Sequence, residues 1–290
     1  MYERFFGLTA KAFALTPDPA FLYPSRQHSM ALTMLEYGLE SQAAFSVLTG
    51  EIGSGKTTLL RRLVRQLGER TTVGLISNTH ARFRAIHGWV LSALGVRAPA
   101  DSEIALYEAL VDHLVKEYAH GRRTLLILDE AQNLCVEALE ELRLLSNVNS
   151  EKDLVLQILL VGQPELRATL SQPELKQLAQ RVSVDYHLKA LDAAETAAYV
   201  RHRFAVAGGD PDVFSANALG MIHTHTRGVP RLVNQLCDYA LVYAFAEGQR
   251  VIDAELLLQV VSDRRGGVAL SALAIERRPV PVPVSVNDAT

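Results

Sequence analysis

Phe45-Ser-Val-Leu-Thr49 runs directly into Gly50-Glu-Ile-Gly-Ser-Gly-Lys56-Thr57. The first five residues form a short apolar strand. The next eight match G-x-x-x-x-G-K-[ST], a spacing that turns backbone N–H groups inward around a phosphate. Gly50, Gly53 and Gly55 allow so tight a turn. Ile52 and Ser54 lie within the loop, and Thr58 follows it on the first helical turn. Lys56 supplies a point charge for outer phosphates, and the Thr57 hydroxyl is placed for magnesium. A helix from Thr57 to Gly68, closed by a glycine cap, is expected next. Its positive dipole end faces the loop. The rival dinucleotide fingerprint G-x-G-x-x-G fails at its third position, where Thr58 stands.

Downstream, Thr124-Leu-Leu-Ile-Leu128 is a continuous apolar run, as in a strand buried on both faces. It ends on Asp129-Glu130, at the strand edge where open α/β sheets hold ligands. Asp129 suits a magnesium ion. Glu130 suits a base that orients and deprotonates water. Further strands are expected at Thr72–Ser77, Leu154–Val161 and, as an edge strand, Val182–Leu188. Helices are expected at Phe83–Leu94, Glu103–Tyr118 and Val136–Asn147. That alternation predicts a parallel sheet with crossover helices.

After Leu191 the strand pattern stops. Asp192 and Glu195 form a capping-box pattern. Helices follow at about 192–206, 215–226, 230–247 and 253–263, punctuated by Gly208-Gly209 and Gly228-Val-Pro230. Residues 1–40 form an aromatic lead-in: Phe5, Phe6, Phe13, Phe21 and Tyr23 stand among Pro17, Pro19 and Pro24. This strap is expected to pack its aromatics on the main domain; the sharper alternative is that it also lines a ligand pocket. A helix from Ser25 to Glu40, with Met30, Leu32, Met34, Leu35 and Leu39 as its apolar residues, completes the lead-in. The division expected is lead-in 1–40, α/β domain 41–190, helical lid 191–265 and a disordered tail 266–290 with Pro279-Val-Pro-Val-Pro-Val.

Composition narrows the classes. The chain has 290 residues, of which 49% are hydrophobic and 21% charged, so it can build a core. Its 29 basic and 32 acidic residues leave a net charge of −3, unlike a strongly basic nucleic-acid binder. Cys135 and Cys237 cannot form a disulfide framework. The longest run without charged residues, Val213 to Thr226, is too short to cross a bilayer. No secretory signal follows Met1. The expected location is the cytoplasm, with peripheral attachment at the inner membrane through a partner.

Taken together, these motifs resemble an AAA+ ATPase, and more narrowly the general secretion pathway protein A (ExeA/GspA) type. The stretches that carry this are Met1-Tyr-Glu-Arg-Phe-Phe-Gly-Leu8, Leu15-Thr-Pro-Asp-Pro-Ala-Phe-Leu-Tyr23, Ser25-Arg-Gln-His28 and Tyr37-Gly-Leu39. Gly50–Arg61, Leu128-Asp-Glu-Ala-Gln-Asn133 and Val161-Gly-Gln-Pro-Glu-Leu166 complete the set. The resemblance implies an α/β P-loop NTPase fold, a parallel sheet flanked by helices and followed by a small all-helical lid. It implies hydrolysis of ATP with Mg2+. It makes Gln163 a sensor of the γ-phosphate or attacking water. Arg231, in Gly228-Val-Pro-Arg231, becomes a lid arginine. Arg181, in Leu178-Ala-Gln-Arg-Val182, becomes a finger reaching a neighbouring subunit. His28 falls near the adenine. The partners implied are copies of the same chain, in a ring or filament, and an envelope or membrane-associated protein. Larger members of that type continue into a membrane span and a peptidoglycan-binding region, so here envelope attachment is expected through the partner. A second resemblance, to transposition target-selection ATPases, implies DNA as partner, with Arg61, Arg62, Arg65, Arg82 and Arg84 available to it.

Overall fold

The computed structural model describes residues 1–77, 86–97, 102–150 and 153–263. The chain opens on a short helix α1 (Tyr2–Phe5), then α2 (Arg26–Glu40), β1 (Phe45–Gly50), α3 (Lys56–Gln66) and β2 (Thr71–Ile76). Next come α4 (Ile86–Ala93), α5 (Glu103–Ala119), β3 (Arg123–Leu128) and α6 (Val136–Leu145). Two short paired strands, β4 (Asn149–Ser150) and β5 (Asp153–Leu154), lead into β6 (Leu156–Gly162), α7 (Glu165–Leu170), α8 (Lys176–Ala179) and β7 (Val182–Leu188). Four helices finish the described chain: α9 (Ala193–Val206), α10 (Ala216–Thr226), α11 (Pro230–Ala246) and α12 (Ala254–Asp263). None of the described helices is long and apolar enough to cross a membrane. The expected tail, Arg82, Arg84 and the start of the helix expected at Phe83 lie outside the described residues.

Five strands form one parallel sheet in the order β2-β3-β6-β1-β7. The central strands β1 and β6 are buried along their whole length, and β7 lies at an edge, as its mixed pattern predicts. Alternation sends Phe45, Val47, Leu126, Leu128, Ile158 and Leu160 into one core. Leu48, Leu125, Ile127, Leu159 and Val161 go into the core on the other face. This strand order sets the carboxyl ends of β3, β6 and β1 side by side.

One local expectation is corrected. Helix α3 stops at Gln66, and Leu67 leaves in an extended conformation (φ −69°, ψ 126°) while its N–H bonds back to Leu63 and Val64. Gly68 is therefore not the cap, and it takes no positive φ. In α2 the buried stripe is His28, Ala31, Leu35 and Gly38, while Met30 faces outward. The cause is close approach to the sheet: a Cβ on Gly38 would lie 2.7 Å from the Ser46 hydroxyl. Small residues at helical spacing admit that approach, and the larger apolar ones flank it.

Residues 1–24 do not pack on the sheet. Tyr2, Leu8, Ala12 and Phe13 are buried in a cluster with Phe204, Phe214, Leu236 and other residues of α9–α12. Phe13 meets the Phe214 ring edge-on at 6.0 Å, and Phe6 meets Phe204 at 6.2 Å. Arg203, buried on α9, holds the strap. Its Nε donates to the Ala12 carbonyl at 2.8 Å, and its guanidinium lies 5.0 Å from the Phe21 ring centre. Helix α9 starts on the expected capping box, with Glu195 N–H donating to Asp192 Oδ1 at 2.8 Å and Asp192 N–H to Glu195 Oε2 at 3.3 Å.

Candidate active site

The loop after β1 takes the shape its glycines permit. Gly53 and Gly55 have φ of +81° and +102°, a region that side chains resist. Their second role is to admit neighbours. A Cβ on Gly53 would lie 2.3 Å from Arg231 Cβ, and one on Gly55 2.8 Å from His28 Nε2. At Gly50 the same atom would lie 2.7 Å from the Leu188 carbonyl.

Lys56 is buried, with Nζ donating to the carbonyls of Gly50 at 2.6 Å and Glu51 at 3.0 Å. Among the described residues no carboxylate forms an ion pair with it. Burial lowers its pKa, against the pull of Glu130 and Asp129. Ser54 is buried too, and its hydroxyl has no hydrogen-bond partner among the described residues. A buried cation beside an orphaned hydroxyl suits an incoming anion rich in acceptor oxygens.

Thr57 Oγ1 donates to Asp129 Oδ2 at 3.2 Å across the ends of β1 and β3. Asp129 is buried, and burial raises its pKa despite the N–H of Glu130 donating to its Oδ1 at 2.9 Å. A hydroxyl and a desolvated carboxylate are the hard oxygen donors that Mg2+ takes. The residues present therefore fit that ion.

Glu130 adopts a left-handed backbone, φ +56°, unusual for a residue with a side chain. Its Oε2 accepts from Gln132 Nε2 at 2.6 Å and from Gln163 Nε2 at 3.2 Å. Gln163 follows β6, so its amide meets the acidic pair from the neighbouring strand end. Arg231 begins α11 after Pro230, and its backbone N–H donates to the Gly53 carbonyl at 3.1 Å. The helical part thus touches the loop directly.

A cleft of about 210 Å³ opens among these groups, with Ile52, Gly53, Gly55, Lys56, Thr57, Thr58, Glu130, Gln163 and Arg231 on its walls. Its remaining wall comes from the strap and α9, through Leu15, Pro17, Phe21, Tyr23, Tyr199 and Arg203. The strap thus forms part of this cleft's wall. His28 joins the wall as well. A carbonyl can only accept, so the neutral ring donates from Nε2 to Ser54 O at 3.1 Å, and Nδ1 accepts from the Ser25 hydroxyl at 2.8 Å. Burial lowers its pKa, against the Ser54 carbonyl.

Arg181 stands apart. Val182 pairs with Phe45, the first residue of β1, so Arg181 borders the amino end of the sheet. Its guanidinium donates to Ser146 Oγ at 2.6 Å. At about 3.3 Å per strand residue, it is roughly 20 Å from the loop of its own chain. Arg61, one of the basic residues available to DNA, donates to the Pro17 carbonyl at 2.5 Å and so braces the strap.

Residue patterns missed Gln132, Tyr199, Arg203 and Asn234. Gln132 lies inside the Leu128–Asn133 motif, but nothing in its spacing says that its amide turns toward Glu130. Arg203 looks like any helix-surface arginine until the strap covers it. Tyr199 Oη donates to Asn234 Oδ1 at 2.8 Å, a contact between two helices far apart in sequence.

Residues 39–170 match the family model described as an AAA domain. Over 253 residues the chain is 41% identical to general secretion pathway protein A of Aeromonas hydrophila, an alignment that takes in 87% of this chain and 46% of that protein. The chain thus spans about half the length of that relative. Among solved structures, CDC6P from Pyrobaculum aerophilum superposes with a TM-score of 0.69 at 20% identity, over 90% of this chain and 73% of that one. The ORC2 protein of Aeropyrum pernix gives 0.65 at 20%, over 87% and 71%. At such identity the likeness speaks for fold, and the fold agrees: a five-stranded parallel sheet with flanking helices and a helical C-terminal part. Residues 39–170 thus match an AAA domain, and the chain is similar over most of its length to general secretion pathway protein A.

Proposed function

We propose that this protein binds and hydrolyses Mg-ATP in the cleft and uses the cycle to drive assembly or regulation of a cell-envelope system for secretion, pilus formation or exopolysaccharide export. One observation carries the reading. The buried Lys56 loop after β1 and Glu130 after β3 line one cleft, and Asp129, next to Glu130, is joined to the loop by the Thr57–Asp129 hydrogen bond.

The loop amides and Lys56 would hold the triphosphate, with Gly50, Ile52, Gly53, Ser54, Gly55 and Thr58 shaping the cradle. Thr57 and Asp129 would hold Mg2+. When bound, that ion neutralises charge on the phosphate oxygens. Glu130 would orient a water and take its proton on the carboxylate. Gln163, sharing Glu130 Oε2, would sense the γ-phosphate or fix the same water. Arg231, at the start of α11, would pair with the outer phosphate and couple the helical lid, about 191–265, to nucleotide state. Arg181 would act on a neighbouring subunit's site, stabilising transition-state charge. That role requires a homo-oligomer, in a ring or filament. The setting proposed is cytoplasmic, peripheral at the inner membrane through an envelope partner.

The discriminating measurement is ATP turnover per subunit against protein concentration, with and without double-stranded DNA at moderate salt. Turnover that rises with concentration and ignores DNA supports the self-assembling ATPase. Stimulation by DNA that fades as salt rises would replace it with the DNA-adaptor reading. The engagement of Arg61 with the strap and the net charge of −3 favour the first outcome.

A further inference from the structure

We propose that Gln132 is a positioning residue for hydrolysis: its amide ties the Glu130 carboxylate to the end of β6, so that Glu130 and Gln163 present to the cleft as one unit. The proposal rests on Glu130 being the base. Gln132 itself does not line the cleft. It acts through two neighbours that do.

The geometry is a closed ring. Gln132 Nε2 donates to Glu130 Oε2 at 2.6 Å, and Gln132 Oε1 accepts the Gln163 backbone N–H at 3.0 Å. Gln163 Nε2 closes the ring on the same Glu130 oxygen at 3.2 Å. The orientation of the Gln132 amide follows from its partners. A carboxylate oxygen accepts, so the NH2 group must face Glu130; a backbone N–H donates, so the oxygen must face Gln163. Reversing the amide would lose both bonds.

Gly162 lets this happen. A Cβ there would lie 2.8 Å from Gln132 Oε1, so a larger residue would displace the amide from β6. The tie matters because Glu130 reaches the cleft on a long, rotatable side chain from a left-handed backbone position. A base must lie within hydrogen-bond reach of its water, and a displacement of about 1 Å costs roughly 100-fold in rate. Gln132 removes that freedom while keeping out of the reacting space.

The test compares Gln132→Met, Gln132→Glu and Glu130→Gln in the full chain, reading ATP turnover and affinity for a non-hydrolysable ATP analogue. Gln132→Met keeps the volume and loses both bonds. It should lower kcat by roughly 100-fold, with KM and analogue affinity within about threefold of the parent. Gln132→Glu keeps an acceptor for the Gln163 N–H but at neutral pH faces Glu130 with a like charge instead of a donor. It should fall at least as far. If it restores turnover that Gln132→Met loses, Gln132 only anchors the loop, and the proposal is overturned. Parent-like turnover in Gln132→Met, or loss of analogue affinity along with turnover, overturns it too. Parent-like turnover in Glu130→Gln removes the base assignment and this proposal together. An inactive Glu130→Gln beside fully active Gln132 variants removes this proposal alone.

Discussion

Two titratable residues of the site stand where burial disfavours their charged forms, and each makes a prediction. Lys56 gives up most of its hydration and, among the described residues, gains two carbonyl partners. That arrangement is favourable when an anion completes it. Lys56→Ala should therefore lower ATP affinity on the order of 100-fold, the usual scale for losing one half of a buried charge pair; isothermal titration with the non-hydrolysable analogue measures it. His28 is the second case. Its pKa is lowered in the folded chain by burial, so below an unfolded value of about 6.5 the unfolded chain binds the extra proton first. The His28 contribution is then complete above that pH and is lost as pH falls toward the folded pKa. Urea midpoints should drop between neutral and mildly acid pH, and His28→Gln, whose amide can still donate to Ser54, should flatten the drop. Burial lowers His187 and His202 as well, so part of the slope remains in the variant.

At the scale of elements, local chemistry and packing divide the work. Helices α2, α9 and α10 begin where a side chain caps them: Ser25, Asp192 and Ser215 each accept from a backbone N–H three residues on. Such signals are local, so those starts were legible in residue order. The strap is the opposite case. Its attachment depends on Arg203, whose guanidinium donates to Ala12, Tyr199 and Ala14, at 2.8, 2.9 and 3.4 Å. Arg203→Met keeps the apolar stem but leaves those acceptors unmet. It should cost about 1.5–3 kcal/mol, the range for hydrogen bonds to a charged group, read by urea denaturation. It should also weaken nucleotide affinity, because residues 14–18 and 21–23 form one wall of the cleft.

At the scale of the molecule, the candidate residues fall at both ends of the sheet. The carboxyl ends of β1, β3 and β6 gather the loop, the acidic pair and Gln163. The amino end of β7 carries Arg181. If Arg181 completes a neighbour's site, Arg181→Ala should keep ATP affinity and lose roughly 10³-fold or more in turnover. Mixing it with Glu130→Gln should restore part of the activity, since a mixed pair contains one site with both groups. Turnover of the mixture that never exceeds the sum of the two variants would remove the trans role.

The phosphate loop, the acidic pair, the alternation of strands with helices and the capping box were all determined by residue order. Each depends on neighbours within a few positions, or on a period of two that any buried strand must keep. The tertiary structure alone decided what lies across the cleft. Composition put the strap on the main domain, whereas the fit of Phe13 against Phe204 and Phe214, with Arg203 holding the Ala12 carbonyl, sends it to the helices. The stripe on α2 likewise comes from how closely Gly38 lets the helix approach Ser46. The Glu130–Gln132–Gln163 ring forms because β6 lies between β3 and β1. Contacts of that kind join residues distant in the chain through side-chain direction, and side-chain direction exists only once the backbone has folded.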